Sequence, residues 1–256
     1  MAISVVTRAY KTSELKNFIN NLSSNSEIEI EIIAVCNIND YNLKNANLII
    51  ENSNRFEARI TGIKNAIYES VLLLDSDQTP EKGLLKELDS KMDDMVIIPE
   101  KSINNSFTSR CLDDWRYRNE NRARKEITPY VPVVPRFYRK KYLLSIINNL
   151  STNIYKILSH EDSILYYYAF QETKKITFAQ KYIFNYDPKF SKLIRKAYLY
   201  GSYRKYTASL EVPEDISRLI YELNNDIFDI KHIGISKGYM IQMIRGFFYK
   251  LGEIFG

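Results

Sequence analysis

Val71-Leu72-Leu73-Leu74-Asp75-Ser76-Asp77 is the stretch whose reading decides the fold. Its four apolar residues, opened by a β-branched one, read as a short strand buried on both faces. Two carboxylates directly after such a strand are out of place, because burying an unpaired charge costs several kcal/mol. Asp75 and Asp77 are expected to point the same way at the strand's carboxyl end, where open α/β sheets bind ligands. Two hard oxygen ligands there suit a Mg²⁺ or Mn²⁺ that also holds a diphosphate. The same acids also fit a solvated turn, and Gln78-Thr79-Pro80 has turn composition. D-x-D spacing is common by chance and does not choose between the two.

The flanking sequence supplies a frame. Ile3–Thr7 reads as a strand, and Ser13–Leu22 as a helix capped by Ser13. Strands follow at Glu27–Val35, with an alternating acidic face, and at Leu48–Glu51. Phe56–Tyr68 is an amphipathic helix leading into Val71–Leu74. A helix at Gly83–Met92 and a strand at Met95–Pro99 complete the first hundred residues. Strands alternating with helices at this spacing predict a mostly parallel α/β sheet with helices on both faces. Beyond residue 100 the pattern loosens. Trp115–Lys125 is a basic helix or long loop carrying Arg116, Arg118, Arg122 and Arg124. Val131–Tyr138 reads as a strand that Pro132 and Pro135 consign to an edge or an irregular course. A helix starts near His160-Glu161-Asp162 and runs through Phe170, Ile176–Ala179 returns to the sheet, and Phe190–Tyr206 is a basic helix. From Val212 onward the chain reads as helical, with Gly234 and Gly238 as breaks.

Composition bounds the function. Hydrophobic and charged fractions of 45% and 26% are those of a folded globular chain. The two cysteines, Cys36 and Cys111, are far apart, which supports neither a disulfide framework nor a zinc site. No signal peptide is expected, since strand-like sequence begins within the first residues. No apolar run reaches the length of a membrane span. Residues 1–100 hold 10 Lys/Arg against 16 Asp/Glu, and residues 101–256 hold 26 against 15. That asymmetry predicts an anionic partner for the second half.

Several chemistries drop out. There is no G-x-G-x-x-G after the first strand, no P-loop, no H-E-x-x-H and no G-x-S-x-G. With two histidines, His160 and His232, a site built on several His ligands is excluded. What remains is acidic: Asp75 and Asp77 at one strand end, and Glu161 and Asp162 at a helix start. The first pair suits a metal and one of the second a general base, although acids at a helix N-terminus are also favoured by its dipole.

In order along the chain, these segments resemble family 2 glycosyltransferases of the GT-A fold. Ile3-Ser4-Val5-Val6 and Glu29–Val35 are similar to the family's opening strands. Glu57-Ala58-Arg59-Ile60-Thr61-Gly62-Ile63-Lys64-Asn65-Ala66 is similar to its A-R-N-x-G helix, and Leu74-Asp75-Ser76-Asp77 to its L-D-x-D motif. Val134–Arg139 resembles its acceptor-side strand, His160-Glu161-Asp162 its E-D motif, and Asn185-Tyr186-Asp187-Pro188 with Arg195–Gly201 the segment that follows. The resemblance runs over roughly residues 3–206. Two positions depart from it: Arg8-Ala9 stand where the family often has Pro-Thr, and Cys36-Asn37 where it usually has a base-reading acid.

The resemblance implies a GT-A (Rossmann-like) domain over 1–210, with a nucleotide-sugar half at 1–100 and an acceptor half at 101–210. Residues 211–256 would form a helical appendage. It implies an inverting, metal-dependent transfer of a single sugar from a UDP- or GDP-sugar to a lipid-linked or glycan acceptor. Asp77 and Asp75 would hold Mg²⁺ or Mn²⁺. Thr7, Arg8, Asn37, Arg59, Asp75 and Ser76 would bind the donor, and Asp162 would be the catalytic base. Arg116, Arg118, Arg136 and Glu161 are the expected acceptor or phosphate contacts. Q-x-x-R-W, the mark of the family's polymer-extruding branch, is absent. Tyr239–Phe255 carries Met240, Met243, Ile244, Phe247, Phe248, Leu251 and Phe255 at near-helical spacing, among Arg245, Lys250 and Glu253. It suits a helix lying in a membrane interface, which predicts a peripheral protein at the inner face of the cell membrane; a docked or dimer-forming helix fits the same pattern. Three competing readings are a nucleotidyltransferase, which would want a glycine-rich loop where Thr7–Thr12 has none, a nucleic-acid-binding module built on the basic half and its tyrosines, and a catalytically dead scaffold. The first reading expects no nucleic-acid partner.

Overall fold

The computed structural model describes residues 2–37, 43, 45–226 and 236–256. In chain order the elements are β1 (Ala2–Ala9), α1 (Thr12–Asn25), β2 (Glu29–Cys36), β3 (Asn47–Ile50), α2 (Arg55–Asn65), β4 (Ser70–Leu73), β5 (Gln78–Pro80), α3 (Leu84–Ser90), β6 (Met95–Ile97), β7 (Glu100–Ser102), α4 (Phe107–Lys125), β8 (Pro135–Arg139), α5 (Lys140–Asn149), α6 (Thr152–Tyr155), α7 (Glu161–Glu172), β9 (Ile176–Phe178), β10 (Ile183–Asn185), α8 (Phe190–Ser209), α9 (Glu214–Asp226) and α10 (Lys237–Phe255). The chain divides into two compact units. Unit one comprises 1–99, 135–150 and 168–185; unit two comprises 100–134, 151–167 and 186–256. The expected cuts at 100 and 210 are sequential, whereas these units interleave.

Unit one holds a seven-stranded sheet of order β3-β2-β1-β4-β8-β6-β9. β1 runs parallel to β2 and β4, β2 parallel to β3, and β6 parallel to β9. β8 alone runs against its neighbours β4 and β6. This is the mostly parallel sheet expected from the alternating pattern. It is covered on both faces because side chains alternate along β1. Ile3 and Val5 join the cluster of Leu15, Phe18, Ile19 and Leu22 from α1 and Leu84, Leu85 and Leu88 from α3. Val6, one residue on, meets Gly62 of α2 on the opposite face. β4 is the buried strand that its apolar run predicts, with Val71–Leu74 at most 1% exposed.

Local details depart from expectation for physical reasons. Of the two courses expected for β8, it takes the irregular one and lies inside the sheet. Pro135 opens the strand, and the register with β6 shifts at Val96/Ile97 opposite it, so its missing N–H falls at a bulge. Gln78–Pro80 is not a turn but the short strand β5, paired antiparallel with β10. α2 begins at Arg55 because Asn54 caps it: its side chain accepts from Phe56 and Glu57 N–H, while the Glu57 carboxylate accepts from Asn54 N–H. The acidic face of β2 is satisfied locally. Glu31 accepts from Ser4 Oγ (2.6 Å) and Ile67 N–H (2.9 Å), and Glu29 from Tyr68 Oη (2.8 Å).

Unit two is helical. α10 packs on α8 and on α4. A Cβ at Gly201 would lie 1.9 Å from Tyr249 O, and one at Gly252 1.9 Å from Tyr198 O, so these glycines let the α8 and α10 backbones touch. Gly238 is no break: it is the second residue of α10, lies against Trp115, and donates its N–H to Asp114 Oδ2 at 2.8 Å. Gly234 and His232 lie outside the described residues. No described helix is long and apolar enough to cross a membrane.

Candidate functional site

The strand order 3-2-1-4 turns outward in both directions from β1 and β4, which makes their adjoining carboxyl ends a topological switch point. Leu74 N–H donates to Val6 O at 3.1 Å, so the acidic segment leaves the sheet beside Thr7. Asp75–Gln78 is a turn closed by Gln78 N–H on Asp75 O at 3.0 Å. Asp77 sits exposed at the turn's tip, whereas Asp75 is half-buried and turned toward α2.

There Arg59, 3% exposed, donates Nη2–H to Asp75 Oδ1 at 3.0 Å, and Arg55 Nη2 lies 3.4 Å from the same oxygen. Sequence reasoning found Arg59 and missed Arg55; the Asn54-x-x-Glu57 capping signature, which starts the helix one residue earlier, was the available signal. On the other side of the turn, Gln78 Oε1 accepts from Asp75 N–H at 2.9 Å, and Gln78 Nε2 donates to Asn185 Oδ1 at 2.9 Å.

The remaining donor-side residues occupy neighbouring strand ends. Thr7 lies two residues before the end of β1, 2% exposed, and its Oγ1 has no partner among the described residues. Arg8 stacks its guanidinium 4.4 Å from the Tyr10 ring centroid. Asn37 follows β2 and is exposed. Ser53, between β3 and α2, is a second buried hydroxyl without a partner among the described residues. Nothing in its sequence context singled it out. Buried orphaned hydroxyls are uncommon and suit a site that a ligand completes.

Among the described residues no group of three or more His, Cys, Asp or Glu could hold a metal by itself. Asp75 is engaged by two arginines, and Asp77 is the exposed acid of the turn. A single hard carboxylate fits Mg²⁺ or Mn²⁺ whose other ligands are substrate phosphates and water.

The acceptor-side residues are divided between the units. Arg136 lies half-buried on β8 in unit one. In unit two, Glu161 (4% exposed) and the half-buried Asp162 occupy the first turn of α7. His160 precedes them with φ 63°, the left-handed region that non-glycine residues rarely enter. Burial pushes its imidazole pKa down, against an opposing hydrogen bond with Asn224.

Arg116 is committed elsewhere. It donates to Asp187 Oδ1 at 2.6 Å, to Asp113 Oδ1 at 3.1 Å and to Ser102 Oγ at 2.9 Å. Burial pulls its pKa down, but Asp187, Glu100 and Asp113 carry it net upward. Arg118 pairs with Asp114 and Arg124 with Glu120. Much of the basic run expected to grip phosphate is thus neutralised along its own helix and by Asp187.

No family model and no curated protein matches the chain. Solved structures do. S. aureus TarS 1–349 matches with TM-score 0.56 at 16% identity, over 98% of this chain and 81% of that one. The same protein in complex with UDP-GlcNAc matches at 0.55 and 17%, over 93% and 74%. The mannosyltransferase PcManGT from Pyrobaculum calidifontis, in complex with GDP-Man and Mn²⁺, matches at 0.60 and 11%, over 99% and 87%. The fold is a glycosyltransferase fold. It is the GT-A-like architecture that the resemblance implied, on the mostly parallel α/β sheet that the strand and helix order predicted, and in it the switch point carries Thr7, Arg59 and Asp75.

Proposed function

We propose that this chain is an inverting, metal-dependent glycosyltransferase of the family 2 type, moving one sugar from a nucleotide-sugar donor to an acceptor hydroxyl. The observation that carries the reading is the Asp75–Gln78 turn at the β1/β4 switch point, with Asp75 clamped by Arg59 and Arg55 and Asp77 exposed. TarS and PcManGT, solved with UDP-GlcNAc and with GDP-Man and Mn²⁺, support a uridine or guanosine diphosphate donor.

Asp75, its charge balanced by the arginines, accepts from the donor's ribose hydroxyls, while Thr7 and Ser53 offer buried hydroxyls to the nucleoside. Arg8, Asn37 and Ser76 complete the donor contacts. Asp77 would hold Mg²⁺ or Mn²⁺, and the ion would supply positive charge to offset the charge that grows on the leaving group. Asp162 takes the proton from the acceptor hydroxyl as its oxygen attacks the anomeric carbon from the face opposite the diphosphate. The glycosidic C–O bond breaks with its electron pair going to the diphosphate oxygen, so the centre inverts. Glu161, Arg118 and Arg136 stay on the acceptor side, and Arg116 serves to hold Asp187 rather than to meet phosphate.

A lipid-linked or glycan acceptor at the inner membrane face fits the outer side of α10. Met240, Met243, Phe247 and Ile254 are 41–61% exposed there, alternating with exposed Lys237 and Lys250. Lys250 pairs with Glu253 at 2.6 Å, and the apolar stripe with Lys237 complements an anionic lipid surface.

A thermal-shift panel of UDP- and GDP-sugars, with and without Mn²⁺, tests the reading, because ligands of the native state raise its apparent stability. One donor class is expected to stabilise the protein only with the metal. Asp162→Asn should keep that shift while turnover falls by at least about a hundredfold, the lower range of general-base contributions. Absence of a shift with every nucleoside diphosphate rejects the proposal, and near-normal turnover of Asp162→Asn removes the base assignment.

A further inference from the structure

The turn that carries Asp77 is fixed from behind by two buried amides to which no chemistry has been assigned. Gln78 is 3% exposed and Asn185 9% exposed, and they face each other across the β5–β10 register. Gln78 Oε1 accepts from Asp75 N–H at 2.9 Å, and its Nε2 donates to Asn185 Oδ1 at 2.9 Å. The backbone donor fixes the orientation of both amides: Gln78 must present oxygen to Asp75 N–H, hence nitrogen to Asn185, which must answer with oxygen. Gln78 also closes the turn through its own N–H. Asp75 is therefore held at three points: its carboxylate by Arg59 and Arg55, its N–H by the Gln78 side chain, and its carbonyl by the Gln78 backbone. Asp77 is two residues along the same turn and takes its position from that frame.

We propose that Gln78 and Asn185 are positioning residues, a buried amide latch that sets where the Asp77 carboxylate meets the metal and diphosphate. This rests on the donor-site reading above. A latch of this kind acts on metal affinity in the donor complex, whereas a purely structural pair lowers the melting temperature and leaves the affinity of the folded protein alone. Misplacing a ligating carboxylate by a fraction of an ångström weakens a metal site, as losing an orienting partner does elsewhere.

The experiment is an electron paramagnetic resonance titration of Mn²⁺ on the full chain, in parallel with UDP and with GDP, well below the melting temperature of every variant. Gln78→Met keeps the volume and removes both side-chain hydrogen bonds, and Asn185→Leu removes the acceptor. Each is expected to weaken Mn²⁺ about tenfold, the low end of second-layer effects on metal sites. The double variant should be no weaker than either single one, because the two amides act as one unit. Asn185→Asp retains an acceptor oxygen and should restore binding to within about threefold of the native chain. Unchanged Mn²⁺ affinity in folded Gln78→Met or Asn185→Leu overturns the latch and leaves the donor site standing. No Mn²⁺ binding by the native chain with either nucleotide overturns both.

Discussion

His160 shows how a single residue can tie stability to pH. It precedes Glu161 and Asp162 in a left-handed conformation, and burial holds its imidazole pKa below the usual histidine value. The unfolded chain, with an ordinary histidine pKa near ~6.5, then binds a proton more readily than the native one does. Stability is greatest above that value and declines as the pH falls from there toward the folded pKa. The native protein is expected to melt at a lower temperature at pH 5.5 than at pH 7.5. His160→Asn, which tolerates the left-handed backbone, should flatten that dependence; an unchanged pH slope would clear His160 of the effect. Residue identity told less at Asp75. Its carboxylate stood out as a candidate, yet its two arginine partners come from a helix that begins 20 residues upstream, and only folding brings them together.

At the scale of the element, α2 shows how tightly sequence and packing agree. Its capping box defines the start, its inward face carries Phe56, Arg59, Ile60 and Ile63, and Gly62 allows it to lie on β1. A Cβ at Gly62 would come within 2.3 Å of Val6 Cγ1, a branched side chain fixed in the sheet that has little room to give. Gly62→Ala should destabilise the protein by about 1–3 kcal/mol, the usual cost of overpacking a core. Chemical denaturation measures this; a neutral or stabilising result would mean that α2 shifts freely on the sheet. Because α2 also delivers Arg55 and Arg59 to Asp75, donor affinity should fall in the same variant. β8 teaches the opposite lesson. Two prolines argued for an edge or an irregular course, and a register shift against its partner chose the irregular course by absorbing the missing donor.

For the whole molecule, the question is what covers the outer side of α10. Its inner side is part of the helical unit, so deleting residues 236–256 would strip that unit's packing and confuse loss of contact with loss of fold. A point change is cleaner. Phe247 is 61% exposed, and Phe247→Asp should leave stability nearly unchanged while placing a charge in the apolar stripe. In flotation the native chain is expected to rise with vesicles containing phosphatidylglycerol and to remain below with pure phosphatidylcholine. Phe247→Asp should lose most of that recovery. If the native chain stays below with both, the membrane contact is rejected, and a concentration-dependent dimer in sedimentation would identify a second copy of the chain as the cover.

Sequence alone determined the layered α/β plan, because buried parallel strands must be apolar runs and the helices between them must show a 3.6-residue period. It also singled out the candidate acids, Asp75 and Asp77 at the end of an apolar strand and Asp162 through the resemblance of its segment to the family's E-D motif. The tertiary structure decided what surrounds the first two. Arg55 and Arg59 claim Asp75, the Gln78–Asn185 pair holds its backbone, and Asp77 is exposed. It also decided that Arg116 answers to Asp187, 71 residues away. Charge pairing depends on distance in space, and residues far apart in the chain become neighbours only when the strands and helices that carry them have packed.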